Sequence, residues 1–191
     1  MRFAATAALL AFMGFQASAL GQETPVQQAP VEPSLESVIT HFFPGYAPVP
    51  LGDLEAEIGA LTVSESAYNS RDRSPTSVRA DFDGNGFSDY ALLIRKTAGP
   101  EADEIFVILM AHGEGRYSKA IESFFGGVAS DIYLGYLPAG TVLPAPSDSG
   151  ENAPPLILEN PAATLNILGQ VSDAFYWDGL SGRFMNAPAP R

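Results

Sequence analysis

The sequence predicts an α+β domain in which one or two N-terminal helices pack on a mainly antiparallel β-meander. Apolar residues recur at helical spacing near the start of the domain. After residue 76, apolar runs bounded by turn residues follow one another, and the turns between them are short. An apolar content of 46%, with 10% aromatic residues, argues against a disordered chain.

Two helical segments are predicted. The first covers residues 34–43, with Ser34 as its N-cap and one apolar stripe that faces the core. The stripe is formed by Leu35, Val38, Ile39, Phe42 and Phe43. A second, shorter helix over residues 53–60 is predicted from the four-residue spacing of Leu54 and Ile58.

The remaining apolar segments predict strands. The predicted strands are residues 77–81, 90–96, 104–112, 116–124, 131–137, 156–158, 164–168, 174–178 and 183–186. The run within 104–112 is continuous, which favours a strand that is buried on both faces. Residues 138–155 hold five prolines and predict an exposed excursion.

The first 19 residues are typical of an export signal. Arg2 precedes an apolar stretch, and Ala17 and Ala19 are the small residues that a signal peptidase requires. We expect cleavage after Ala19. The alternative is a membrane anchor, but the apolar stretch is short for a span of about 20 residues.

The rest of the chain divides into three parts. Residues 20–33 are rich in proline and glutamine and predict a tether. Residues 34–186 predict a single domain, and residues 187–191 a flexible tail. No further segment is apolar enough to span a membrane, so we expect no membrane span after signal cleavage.

Charge and cysteine content exclude several classes of protein. The net charge of −12 repels phosphate backbones, so we expect no nucleic-acid partner. The chain contains no cysteine, which excludes disulfides and lipid attachment through a cysteine. An exported domain of this composition therefore depends on its core for stability, with a bound metal as a further contribution.

Residues 81–89 form an acidic, glycine-containing loop that predicts a metal site. Oxygen-bearing side chains occupy loop positions 1, 3, 5 and 9, and glycines occupy positions 4 and 6. These residues are Asp81, Asp83, Asn85, Asp89, Gly84 and Gly86. Alternate side chains point inward while the glycines permit a sharp reversal. Because all donors are oxygen, calcium is the predicted ion.

The loop resembles the strand-loop-strand calcium motif of FG-GAP and VCBS repeats. That motif reads Asp-x-Asp/Asn-Gly-Asp/Asn-Gly-x-x-Asp before an apolar strand, and all six positions match. The resemblance implies that Asp81, Asp83, Asn85 and Asp89 supply side-chain oxygens and that the carbonyl of Phe87 supplies a fifth ligand. A helix-loop-helix calcium hand is not expected, because position 12 is Leu92. The motif occurs once, so the chain resembles a single-copy, small exported bacterial protein and not a repeated propeller.

An alternative interpretation is a plain turn whose acids are neutralised by the nearby Arg71, Arg73 and Arg79. His41 and His112 lack the spacing of metal ligands, and both are expected to be structural or surface residues. No Gly-x-Ser-x-Gly motif is present, and a serine-histidine-acid arrangement stays open because its members need not be close in sequence. Aromatic residues are candidates for a ligand groove: Phe124, Phe125, Tyr133, Tyr136, Tyr176 and Trp177.

The sequence therefore predicts an exported, calcium-binding, non-enzymatic module in which the ion is structural. Its expected location is the bacterial periplasm or the exterior, and its expected partner is an unknown protein or envelope ligand. Two alternatives stay open: a metal-assisted envelope hydrolase, and an acidic inhibitor of a basic enzyme.

Overall fold

The computed structural model describes residues 33–64, 72–98, 103–125, 129–145, 154–170 and 172–190. Within these ranges the helices are α1 (Leu35–Phe42), a short 3-10 helix (Leu51–Asp53) and α2 (Ala56–Ser64). The strands are β1 (Tyr46–Pro48), β2 (Arg73–Ser74), β3 (Ser77–Ala80), β4 (Asp89–Lys96), β5 (Glu104–Ala111), β6 (Tyr117–Phe124), β7 (Ile132–Leu137), β8 (Val142–Leu143), β9 (Leu156–Ile157), β10 (Ala162–Ile167), β11 (Asp173–Asp178) and β12 (Arg183–Pro188).

Helix α1 begins and ends as its sequence predicts. The Ser34 hydroxyl accepts a hydrogen bond from the backbone N–H of Ser37 at 3.2 Å, which satisfies one free donor of the first turn. At the other end, the N–H of Phe43 donates to the carbonyl of Ile39 at 2.7 Å. Val38 and Ile39 are buried against β4 and β5. The predicted cap and apolar stripe are confirmed.

The first sheet has the order β2-β3-β4-β5-β6, and β1 pairs with β4. All of its pairings are antiparallel. Every residue of β5 is buried, because both faces of the strand are covered. Ile105 and Val107 pack beneath α1. Phe106 and Ile108 belong to the core on the opposite face.

The second sheet has the order β12-β11-β10-β7 and is also antiparallel. It packs on the first sheet through aromatic contacts, among them Phe106 against Phe175, whose ring centroids are 4.9 Å apart. Strands β8 and β9 form a separate two-stranded ribbon. The α+β class and the antiparallel meander are therefore confirmed. The division into two packed sheets was not predicted, because short apolar runs identify strands but not their partners.

Several boundaries differ from the predictions. The second helix begins at Ala56 and continues to Ser64, and the residues before it form the 3-10 turn. The tail predicted at 187–191 is wrong at its start, because β12 reaches Pro188 and Ala187 is buried. Its pairing with β11 holds this segment in place.

The predicted signal at 1–19 and nearly all of the tether lie outside the described residues, as does the middle of the 138–155 excursion. Within the described ranges, no helix has the length and apolarity needed to span a membrane.

Candidate metal centre

The acidic loop connects β3 to β4 at one end of the first sheet. Its two strands are directly paired, with Ala80 opposite Asp89, so the loop closes over a short gap. Gly84 and Gly86 have φ angles of 74° and 88°, a region that residues with a Cβ atom rarely adopt. The reversal predicted from the two glycines is therefore present.

The three aspartates of the loop converge on one centre. Each of Asp81, Asp83 and Asp89 offers one carboxylate oxygen, and these oxygens all lie within 4.8 Å of one another. Asp81 and Asp83 are half-buried, whereas Asp89 is fully buried. Three like charges at this separation repel one another unless a cation or a proton compensates. The group fits a hard cation but does not by itself select calcium.

Backbone N–H groups of the loop orient the two half-buried aspartates. The N–H of Gly86 donates to Oδ2 of Asp81 at 2.8 Å. The N–H of Asn85 is shared between Oδ1 of Asp81, at 3.0 Å, and Oδ1 of Asp83, at 3.1 Å. These bonds hold both carboxylates toward the inside of the loop.

Asp89 is held by its own loop and by strand β5. Its Oδ2 accepts the N–H of Phe82 at 2.8 Å, and its Oδ1 accepts the N–H of Ala111, at the end of β5, at 2.7 Å. A buried carboxylate is costly without such partners. Asp89 therefore joins the start of the loop to the neighbouring strand.

Asn85 links the loop to β5 as well. Its Nδ2 donates to Oδ2 of Asp83 at 3.0 Å and to the carbonyl of Ala111 at 2.8 Å. Its Oδ1 accepts the N–H of Phe87 at 2.8 Å. Asn85 thus lies beside the carboxylates, while its role as a ligand, and that of the Phe87 carbonyl, stay predictions.

The described arginines close in sequence to the loop contact other residues. Arg79 lies 3.7 Å from the carboxylate of Asp72, and the guanidinium of Arg73 lies 3.4 Å from the ring centroid of Tyr136. Arg71 lies outside the described residues. In the described part of the chain, no lysine or arginine forms an ion pair with any of the three loop carboxylates.

Burial raises the pKa of Asp89 from its ordinary value to about 7. The hydrogen bonds from Ala111 and Phe82 lower that pKa, and the charges of Asp83 and Asp81 raise it further. Burial also raises the pKa of Asp83 above its ordinary value, with a smaller contribution from Asp81. Without an ion, this centre therefore holds protons more strongly than separate aspartates do, and a divalent cation would compete with those protons.

Two contacts from distant parts of the chain complete the surroundings of the loop. A Cβ atom on Gly113 would lie 2.7 Å from the ring of Phe87, so this ring rests directly on the β5–β6 turn. A Cβ atom on Gly84 would lie 2.7 Å from Oδ1 of Asn160, which precedes β10 of the second sheet. Asn160 was not predicted as a neighbour of the loop, because no local pattern connects it to the loop.

Neither histidine belongs to the group of described side chains that could hold a metal ion. His41 is in the last turn of α1. His112 follows β5, and its Nε2 is 2.6 Å from Oγ of Ser118, a pair that sequence analysis also missed. The group of described side chains that would hold a metal ion consists of the three aspartates, without a histidine.

The chain matches no protein-family profile, no curated protein and no solved structure. The FG-GAP and VCBS resemblance therefore rests on the six loop positions and stays a prediction.

Proposed function

We propose that this chain is an exported, calcium-binding, non-enzymatic module whose ion is structural and which recognises a protein or a cell-envelope component. The observation that carries the proposal is the convergence of Asp81, Asp83 and Asp89 on one centre without a described basic partner. A cation is the simplest means of neutralising such a group. The export assignment rests on residues 1–19 alone.

Calcium is proposed on the chemistry of the donors. The loop offers carboxylates, amide oxygens and backbone carbonyls, which are calcium ligands, and lacks the sulfur and imidazole that zinc or copper prefer. A wrapped, irregular loop also suits the flexible coordination of calcium better than the strict octahedron of magnesium. Extracellular calcium modules commonly have dissociation constants of about 10⁻⁴ to 10⁻³ M, which agrees with an exported protein.

The proposed role of the ion is to fasten the loop between its neighbours. Asp89 bonds to β5, Phe87 packs on the β5–β6 turn, and Gly84 lies against Asn160, just before β10. An ion that held the three carboxylates together would therefore stabilise a point where several elements meet. At ten times its dissociation constant, the ion would add about 1.4 kcal/mol to the free energy of unfolding.

Thermal unfolding of the chain lacking residues 1–19 tests the metal site. We expect a higher Tm in millimolar calcium than in chelator, and a smaller rise in magnesium. In the Asp81→Asn, Asp83→Asn double variant the calcium-dependent rise should disappear. An equal Tm in calcium and chelator for the unsubstituted chain would contradict the proposal.

Export is tested separately. Expression of the full chain in a bacterium, followed by fractionation and mass measurement, should yield an exported product that begins at Leu20. A product that keeps residues 1–19 and stays in the cytoplasm would remove the proposed location without affecting the metal site.

The competing function, a metal-assisted hydrolase, has one observation in its favour. The His112–Ser118 pair and Asp83 border the same small cleft. Within the described residues, no contact orients the other imidazole nitrogen, as a third group does in serine hydrolases. Time-dependent release of product from ester or glycoside substrates, lost in Ser118→Ala, would favour the hydrolase over the binding module.

A further inference from the structure

A cleft of about 280 Å³ lies beside the acidic loop, between the first sheet and the β11–β12 hairpin. The side chains that matter for its chemistry are Asp83, Met110, His112, Ser118, Trp177 and Phe184. Asp83 belongs to the metal centre, whereas the others come from β5, the turn after it, β6 and the β11–β12 hairpin. The cleft thus joins the loop to a surface that the proposed function does not yet use.

One wall of the cleft is aromatic. Trp177 and Phe184 are directly opposite each other in the β11–β12 pairing, so their side chains project from the same face of the hairpin. Their ring centroids are 5.5 Å apart and the rings are nearly perpendicular, at 72°. Both residues are only partly buried, which leaves ring surface available to a ligand.

A hydrogen-bonding pair forms another part of the cleft. The Nε2 atom of His112 and the hydroxyl oxygen of Ser118 are 2.6 Å apart. When the hydroxyl donates to Nε2, the Nδ1–H is left as a donor and the hydroxyl oxygen as an acceptor. When Nε2–H donates instead, the hydroxyl is left as a donor and Nδ1 as an acceptor. In either tautomer the pair offers one donor and one acceptor, which is what a ligand hydroxyl requires.

The basic residues that border the cleft do not make it an anion site. The ammonium group of Lys119 binds Glu122 at 2.8 Å and lies 5.2 Å from the ring of Phe43, on the α1 side of the sheet. Arg183 is opposite Asp178 in the hairpin, so both project from the face away from Trp177. The acid Asp83 also disfavours an anionic ligand.

We propose that this cleft binds a neutral saccharide. A sugar ring presents an apolar face that packs on Trp177 and Phe184, and hydroxyl groups that both donate to and accept from the His112–Ser118 pair. This inference deepens the proposed function by naming the envelope component as a glycan. It rests on the proposed metal loop only for the position of Asp83. An apolar peptide would use the aromatic wall but would leave the polar pair without a partner.

The intrinsic fluorescence of Trp177 reports on the cleft directly, because this residue is the only tryptophan of the chain. The probes are glucose, galactose, mannose, N-acetylglucosamine, cellobiose and chitobiose, each titrated to about 10 mM, a range suited to weak single-ring affinities. We expect a saturable change for at least one neutral sugar, and none for galacturonate or inorganic phosphate. The dissociation constant is then verified by calorimetry.

Two variants and one control test the polar pair. Ser118→Ala and His112→Gln should each weaken the binding of that sugar about tenfold, as expected when one hydrogen-bonding partner is lost. Ser123→Ala, an exposed serine on the same strand outside the cleft, should leave the affinity unchanged. The Tm of each variant is measured to detect a folding defect. If one variant is defective, the affinity of the other decides whether the polar pair binds the sugar.

The result that would overturn the inference is the absence of saturable binding by any neutral sugar, or binding that neither variant weakens. Stronger binding of an apolar peptide or of galacturonate than of every neutral sugar would also overturn it. Each titration is repeated in chelator. Sugar binding without a calcium response would retain the saccharide cleft and remove the metal site, and a calcium response without sugar binding would do the reverse.

Discussion

The two ends of the β4–β5 strand pair each bury a carboxylate, but among the described residues only one end provides a basic partner for it. At one end, Nε of Arg95 donates to Oε1 of Glu104 at 2.6 Å, and the same guanidinium also pairs with Asp53. At the other end, Asp89 lies with two further aspartates, and its partners among the described residues are the backbone N–H groups of Phe82 and Ala111. We call these two places the arginine end and the aspartate end.

Among the described residues, the aspartate end lacks the cation that the arginine end has. Glu104 is 2% exposed, and its second oxygen also accepts the N–H of Ala129 at 3.0 Å, so its charge is compensated within the chain. The fold therefore places a cation beside a buried acid where that acid is structural. At the aspartate end the backbone bonds orient the carboxylates but do not neutralise them, which is the arrangement expected where the cation comes from solution.

The largest effect is expected at the arginine end. Glu104→Ala removes one partner of a buried ion pair and should lower the free energy of unfolding by about 3–5 kcal/mol. Urea unfolding should give the same loss in calcium and in chelator. Glu122→Ala, which breaks the more exposed pair with Lys119, is the control and should cost less than about 1 kcal/mol. A loss that depends on calcium would mean that the two ends are coupled.

At the aspartate end, Asp89→Ala should have two consequences. In chelator it leaves the buried N–H groups of Phe82 and Ala111 without their acceptor, at a cost of about 2–4 kcal/mol. In calcium the loss should be larger, because the ion no longer binds. Parallel unfolding curves in the two buffers separate these contributions, and an unchanged calcium response in the variant would exclude Asp89 as a ligand.

The pH dependence of the aspartate end follows from the raised pKa of Asp89, which is about 7 in the folded chain. Between about pH 4 and pH 7 the folded chain then binds more protons than the unfolded chain does, so without calcium this group makes stability fall as the pH rises, by at most about 1.4 kcal/mol per pH unit. Calcium affinity should change in the opposite direction and increase with pH, because protons and the ion compete. Calorimetric unfolding from pH 4 to pH 8 measures both trends. If the fall in stability between pH 4 and pH 7 without calcium were the same in Asp89→Ala, the assignment of that fall to Asp89 would be contradicted.

The smallest expected change in the free energy of unfolding is that of Asp83→Asn, and its sign should differ between chelator and calcium. Asp83→Asn removes one of three repelling charges, so in chelator it should raise the free energy of unfolding by up to about 1 kcal/mol. In millimolar calcium the same variant should be less stable than the unsubstituted chain, because a ligand is lost. Asp173→Asn, an exposed aspartate on β11, should show no such reversal. Destabilisation of Asp83→Asn in both buffers would indicate that its hydrogen bonds matter more than its charge.

Much of the first sheet and of the acidic loop could be predicted from the sequence, because the signals are local. Ser34 caps α1, the continuous apolar run of β5 gives a strand buried on both faces, and the spacing of Asp81, Asp83 and Asp89 places their carboxylates on one centre. In each case, residues within a few positions of one another determine the outcome.

The strands of the second sheet were predicted, but their assembly into a separate sheet and the surroundings of the loop were not, because these depend on contacts between distant residues. Strand β8 is too short to give a pattern, and the two-sheet arrangement depends on which apolar faces meet. Asn160 approaches Gly84, and Ser118 bonds to His112, without any shared motif. The pairing of Glu104 with Arg95 across β4 and β5 likewise appears only once the register is known.

Calcium titration calorimetry on the chain lacking residues 1–19 tests the central claim most directly. We predict one ion per chain with a dissociation constant of about 10⁻⁴ to 10⁻³ M. We also predict that the binding heat disappears in Asp81→Asn, Asp83→Asn, whereas the arginine-end control Asp53→Asn retains it. Heat no greater than that of dilution for the unsubstituted chain, or equal binding by the double variant, would contradict the claim that the three loop aspartates hold a calcium ion.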